Sequence, residues 1–181
     1  MKTNTAFVQG QRHFLRGEYG RSIMGFGGAL EAGMDAAQVH VPLGLAYFKN
    51  RNFAEAVAEF SHALHLAPDN AQLYFLRGMA RFNLGELAPA LADFNRAIDR
   101  NPNRGQVFVA RSLVQRALGC EVAADADLQT AVALADVEVE LFIREYCLTA
   151  NLTGLAQSLF DVEQSSWGRD RWERRARSRS H

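Results

Sequence analysis

The chain repeats itself every 34 residues, and a chain with so short a period cannot gather around one central core; it must stack like units side by side. Blocks starting at Thr3, Ala37, Ala71 and Gly105 align without insertion or deletion. Position 8 of the blocks reads Gly10, Gly44, Gly78 and Ser112, and position 20 reads Ser22, Ala56, Ala90 and Ala124. Position 24 is Phe26, Phe60, Phe94 and Leu128, position 27 is Ala29, Ala63, Ala97 and Ala131, and position 28 is Leu30, Leu64, Ile98 and Val132.

Apolar residues three and four apart predict two helices per block, one over about the first fourteen positions and one from about position 17 to 30. The small residues at 8 and 20 let the two backbones approach, and the large residue at 24 fills the space beside them. Alanine at 27 then admits the first helix of the next block. Pro68 and Pro102, at position 32, stop the second helix. Asp35, Asp69 and Asn103 follow, each expected to cap the helix after it. Position 7 is Arg77 and Arg111 in the blocks whose position 23 is Asp93 and Asp127, which predicts an ion pair across each of those hairpins. Taken as surface pairs, they would contribute only ~0–1 kcal/mol each. The second block has Leu43 and Glu59 at these places, and His40, at position 4, is expected to be a half-buried packing residue.

A small residue at 8, alanine at 20, an aromatic at 24, alanine at 27 and proline at 32 resembles the tetratricopeptide repeat (TPR) family. The second block, AQVHVPLGLAYFKNRNFAEAVAEFSHALHLAPDN, and the third, AQLYFLRGMARFNLGELAPALADFNRAIDRNPNR, lie close to the family consensus. The first departs at Ser22 and Met34, the fourth at Ser112 and Asp136. The resemblance implies an all-α solenoid of helical hairpins, a right-handed superhelix, with repeats at 3–36, 37–70, 71–104 and 105–138. A degenerate fifth block starts at Val139, with Phe142, Leu155, Ser158 and Val162 at positions 4, 17, 20 and 24. Tyr146 stands there where a small residue belongs, and Ser165 and Ser166 replace the residues that would receive another repeat. Residues 139–167 are therefore expected to form a capping hairpin with a polar outer face.

The first helices of such a stack line an extended concave groove. The resemblance implies that positions 2, 5, 9, 12 and 13 face it. Position 5 supplies Phe7, Val41, Phe75 and Val109; position 9 supplies Gln11, Leu45, Met79 and Leu113; position 12 supplies Phe14, Phe48, Phe82 and Arg116. TPR proteins that clamp a C-terminal carboxylate do so with Lys, Asn and Arg at positions 5 and 9, and none of those residues stands there in this chain. The floor is instead apolar, with an amide rim of Asn4, Gln38, Gln72 and Gln106 at position 2. The candidate site is accordingly Phe7, Gln38, Val41, Leu45, Gln72, Phe75, Met79, Gln106, Val109 and Leu113, and it suits an apolar peptide or an amphipathic helix. Covering four or five such side chains at ~1.5–3 kcal/mol each leaves roughly micromolar binding after association costs. Phe14, Phe48 and Phe82 serve equally well as core between hairpins.

An apolar trough of this length calls for a cover, and three fit the sequence: a partner, a second copy of the chain, or its own C-terminal helices. The expected function is a non-enzymatic interaction module, an adaptor, co-chaperone or assembly scaffold. The alternative is a self-assembling structural protein whose groove is filled by a neighbouring chain or by its own C-terminal helices.

Composition narrows the remaining classes. The 181 residues are 48% hydrophobic and 22% charged, with 20 Lys+Arg against 20 Asp+Glu, so no global field draws the molecule to nucleic acid or an anionic membrane. The tail 168–181 carries six arginines against Asp170 and Glu173, a net charge of +4, with Trp172 inside it and Trp167 just before it. A short basic end is more often a frayed tail than a phosphate or headgroup ligand, so contact with either is disfavoured. Cys120 and Cys147 are too few for a disulfide framework, and the first residues lack the apolar run of a signal peptide, which points to the cytoplasm. No nucleophile elbow, phosphate-binding loop or paired carboxylate motif occurs, so no catalysis and no cofactor are expected. His62 and His65 lie three apart on a second helix, but no Cys or carboxylate at a familiar spacing completes a ligand set, and no metal is expected.

Overall fold

The computed structural model describes residues 5–134 and Phe142. Eight α-helices succeed one another: α1 Thr5–Leu15, α2 Tyr19–Glu31, α3 Ala36–Lys49, α4 Phe53–Leu66, α5 Ala71–Asn83, α6 Leu87–Arg100, α7 Gly105–Ala117 and α8 Glu121–Ala133. No strand occurs among the described residues. The helices pair in chain order as four hairpins, and each hairpin packs on the next through α2–α3, α4–α5 and α6–α7. The first helices also meet one another, α1 with α3 and α5 with α7.

Inside each hairpin, positions 8 and 24 divide one volume between them. A Cβ on Gly44 would stand 2.7 Å from Phe60 Cε1, and one on Gly78 2.7 Å from Phe94 Cε1. Both rings are fully buried. The fourth hairpin has a side chain at position 8, Ser112, and there the facing residue shrinks to Leu128. The buried hydroxyls that depart from the family pattern are satisfied: Ser22 Oγ donates to the Gly10 carbonyl at 2.9 Å and Ser112 Oγ to the Val109 carbonyl at 2.7 Å.

The turn inside every hairpin passes through the left-handed region at position 15, with φ of 74° at Gly17, 65° at Arg51, 80° at Gly85 and 78° at Gly119. Between hairpins, Pro68 and Pro102 follow the ends of α4 and α6, as expected. The first connector has no proline, and Gly33, at φ 77°, ends α2 instead: its N–H donates to the Leu30 carbonyl and that of Met34 to the Ala29 carbonyl.

Of the three predicted caps, Asp35 holds its place, accepting from the Ala37 N–H at 3.1 Å. The other two require correction. An N-cap directly precedes the first helical residue, and α5 and α7 begin one position later in the repeat than α3 does. Asn70 therefore caps α5, accepting from the Gln72 N–H at 3.0 Å, while Asp69 receives Arg100 at 3.2 Å. Arg104 is the cap residue of α7 and makes no side-chain cap bond; the Asn103 N–H donates to Asn101 Oδ1.

Both predicted ion pairs form. Arg77 donates through Nε and Nη2 to Asp93 at 2.9 and 2.7 Å, and Arg111 to Asp127 at 2.7 and 2.6 Å. Their expected weight does not hold, because Asp93 and Asp127 are only 2% and 5% exposed and are core groups rather than surface ones. Each arginine also reaches the preceding hairpin, Arg77 to Ser61 Oγ at 3.2 Å and Arg111 to Asn95 Oδ1 at 2.7 Å. Each guanidinium stacks on an aromatic at position 4, Tyr74 or Phe108. One forked side chain thus ties two helices of its own hairpin to the hairpin before it.

Candidate functional site: a concave stripe, open at one end

The stripe of positions 5 and 9 runs along α1, α3, α5 and α7, and its accessibility changes from end to end. Phe7, Val41 and Leu45 are half-buried and Gln11 is exposed. On α5 and α7 the equivalent residues are closed off: Phe75 is 6% exposed, Met79 2%, Val109 0% and Leu113 5%. The rim follows the same gradient, with Gln38 exposed, Gln72 half-buried and Gln106 buried. Asn4 lies outside the described residues.

Part of the cover can be named. The Phe142 ring lies edge-on to Phe75, with centroids 5.8 Å apart, and belongs to the same buried cluster as Met79, Val109 and Val114. Packed helices lie about 8–10 Å apart, so position 4 of a regular fifth repeat would sit roughly two such spacings from α5; Phe142 instead touches α5 directly. The rest of the expected capping hairpin, 139–167, and the basic tail fall outside the described residues.

Two rim amides are already engaged. The Arg104 guanidinium lies between Gln72 and Gln106, donates to Gln72 Oε1, and donates to Gln106 once that carboxamide is turned oxygen-first. Gln38 donates to the cap residue Asp35 at 3.3 Å. At position 12, Phe14 packs on Tyr19 and Phe48 on Phe53, each within its own hairpin turn, and Phe82 joins the main core. These three behave as hairpin core. Arg116, next along, is held by Asp125 at 2.9 Å.

Charged groups elsewhere form local pairs. His13 Nδ1 lies 2.5 Å from Glu18 Oε2, and this hydrogen bond, with the charges of His13 and Arg21, holds the Glu18 carboxyl below its ordinary range. Burial pushes the Tyr47 phenol up, and the carboxylates of Glu59 and Glu55 push it further. His40 is half-buried as expected, with Nδ1 2.7 Å from Glu59 Oε2. Cys120 is exposed in the turn before α8. No helix among the described residues is long and apolar enough to cross a membrane.

The sequence profile of the tetratricopeptide repeat family matches residues 43–115, from within α3 into α7. That segment is similar to tetratricopeptide repeats. No curated protein matches the chain, but solved TPR structures share its fold. MamA from MSR-1 is 25% identical, with 71% of this chain and 74% of that one covered at a TM-score of 0.66. YrrB, described as a TPR protein with an unusual peptide-binding site, is 21% identical, with 77% and 73% covered at 0.69. The first TPR of Spaghetti (RPAP3), bound to the HSP90 peptide SRMEEVD, is 26% identical, with 63% and 90% covered at 0.58.

Two residues that pack beside the stripe were not marked as such in the sequence. Arg104 occupies position 34, where the other repeats have Ala36, Asn70 and Glu138, so no recurrence announces it. Phe142 is legible as a packing residue by register, but its docking against Phe75 joins a non-periodic part of the chain to a periodic one and leaves no trace in the spacing.

Proposed function

We propose that this TPR chain is a non-enzymatic protein-interaction module, an adaptor, co-chaperone or assembly scaffold, whose open concave end on α1 and α3 takes an apolar peptide or an amphipathic helix. The observation that carries this reading is the half-buried apolar stripe Phe7, Val41 and Leu45 beside the exposed Gln38 amide. Solvent-facing apolar surface with flanking amides suits a ligand that buries side chains and keeps its backbone hydrogen-bonded. The Spaghetti TPR holds a peptide ending in EEVD; positions 5 and 9 here carry no Lys, Arg or Asn, so a carboxylate terminus is not the determinant. Phe75, Met79, Gln106, Val109 and Leu113 belong to the same groove in its covered part and bind ligand only when that cover leaves.

A fluorescein-labelled, uncharged Leu-rich amphipathic peptide tests the reading by anisotropy. The double substitution Val41→Glu/Leu45→Glu is expected to weaken binding more than about tenfold while helical circular dichroism persists. Met24→Glu, at a residue already 77% exposed on α2, should change nothing. Equal affinity of the double variant and the unaltered chain refutes the assignment.

A second reading, that the groove is occupied by the chain's own C-terminal region or that of a neighbouring copy, is favoured by Phe142 on Phe75. The two readings coexist if the occupant covers only the α5–α7 end.

A further inference from the structure

The second hairpin departs from its neighbours in a concerted way. In the third and fourth, positions 4, 7 and 23 form one device: an aromatic (Tyr74, Phe108) under an arginine (Arg77, Arg111) that grips a buried aspartate (Asp93, Asp127). In the second, all three differ, as His40, Leu43 and Glu59. The His40–Glu59 pair by itself restores a polar link between the two helices. It gives no reason for His62, at position 26, where the other repeats have Gly28, Arg96 and Thr130.

His62 nevertheless joins the pair. Glu59 and His62 lie three apart on α4 and so share a helix face, with His40 opposite on α3. The imidazole centroids of His40 and His62 are 5.0 Å apart, their planes inclined by 58°. One ligand atom from each of His40, Glu59 and His62 falls within 4.8 Å of the other two. The His40 and Glu59 side chains are 11% and 16% exposed, which limits how far they can swing, whereas His62 is exposed and free to adjust.

We propose that His40, Glu59 and His62 bind a zinc-type transition-metal dication. Two imidazoles and one carboxylate are the donors such ions select, while magnesium and calcium prefer oxygen alone. Three protein ligands leave the fourth tetrahedral position to water. Bonds of about 2.0–2.1 Å place tetrahedral ligand atoms about 3.3 Å apart, so His62 would close in by rotation while the His40 Nδ1–Glu59 Oε2 hydrogen bond, at 2.7 Å, opens slightly. None of the three occupies position 5 or 9, so the ion would not fill the groove. It would clip α3, which carries Val41 and Leu45, to α4, and so stiffen the open end of the stripe.

The test titrates ZnCl2 into the full chain while following thermal unfolding, with Co²⁺ absorption as a second readout of coordination. Saturable one-to-one binding with a rise in Tm is expected for the unaltered chain and for His65→Ala, whose imidazole lies outside the cluster. His62→Ala is expected to weaken zinc binding by at least about tenfold with the metal-free Tm little changed, since that ring is exposed and touches His40 from outside the core. Glu59→Gln should weaken it as well. Either of two results overturns the proposal: no saturable binding at millimolar zinc, or equal affinity of His62→Ala and the unaltered chain. In the second case His40 and Glu59 are a hydrogen-bonded pair and nothing more.

Discussion

At the scale of single residues, the glycines on the helices divide into two kinds with opposite expected responses. Gly78 faces the buried Phe94 ring, and a Cβ there would stand 2.7 Å from it, whereas Gly27 on α2 has no atom within 4 Å of its would-be Cβ. Gly27→Ala should therefore stabilise by about 0.5–1 kcal/mol, the ordinary gain on replacing a mid-helix glycine. In Gly78→Ala the same gain is outweighed by overpacking of about 1–3 kcal/mol. Urea unfolding followed by circular dichroism reads both signs. The natural Ser112–Leu128 combination adds that Phe94→Leu should relieve Gly78→Ala, a coupling a double-mutant cycle measures. The small-residue rule at position 8 was legible because four blocks show it at once. The left-handed turn at position 15 was not, since Arg51 stands among three glycines and hides the pattern. Arg51→Gly should accordingly raise stability by about 1 kcal/mol, visible as a higher Tm. An unchanged Tm would mean that the turn carries no strain.

At the scale of helices and hairpins, the arginine forks illustrate how burial changes the weight of one and the same pair. The Arg77–Asp93 bond could be read from the spacing of positions 7 and 23, but its strength could not, because spacing says nothing of how much water reaches the carboxylate. Asp93 receives Arg81 as well as Arg77, at 2.9 and 2.7 Å, and its side chain is 3% exposed. Removing it leaves two guanidinium groups facing a cavity, so Asp93→Ala should destabilise by about 3–5 kcal/mol. Asp69, bonded to Arg100 at 3.2 Å with its side chain 91% exposed, is the matching control, and Asp69→Ala should stay within about 0.5 kcal/mol. Comparable losses in the two variants would contradict the core role of the fork. The displaced caps have a similar origin. Capping chemistry was recognisable in the Asp and Asn residues before α3, α5 and α7, yet which of two adjacent residues caps depends on the connecting turn. Gly33 ends α2 by a different device from the Pro68 connector, and the next helix starts one position earlier as a result.

At the scale of the whole molecule, the groove is legible as chemistry but not as a state. Periodicity puts Phe7, Val41, Leu45, Phe75, Met79, Val109 and Leu113 on one stripe, because helices repeat and the repeats stack. It does not reveal that the stripe is buried on α5 and α7 and half-buried on α1 and α3, and of the described residues beyond the last good repeat it is Phe142 that packs on the buried end. Phe142, edge-on to Phe75, is the point at which that cover can be probed without touching the stripe itself. In Phe142→Ala the α5–α7 end should become accessible, and binding of the apolar dye anilinonaphthalene sulfonate should rise while far-ultraviolet circular dichroism stays helical. Light scattering then separates the sources of the cover. A mass unchanged by the substitution assigns the docked ring to the same chain, and conversion of an oligomer to a monomer assigns it to a neighbour. Dye binding that does not rise at all would mean that Phe142 merely fills core, that Phe75, Met79, Val109 and Leu113 hold the hairpins together, and that the recognition surface ends at α3.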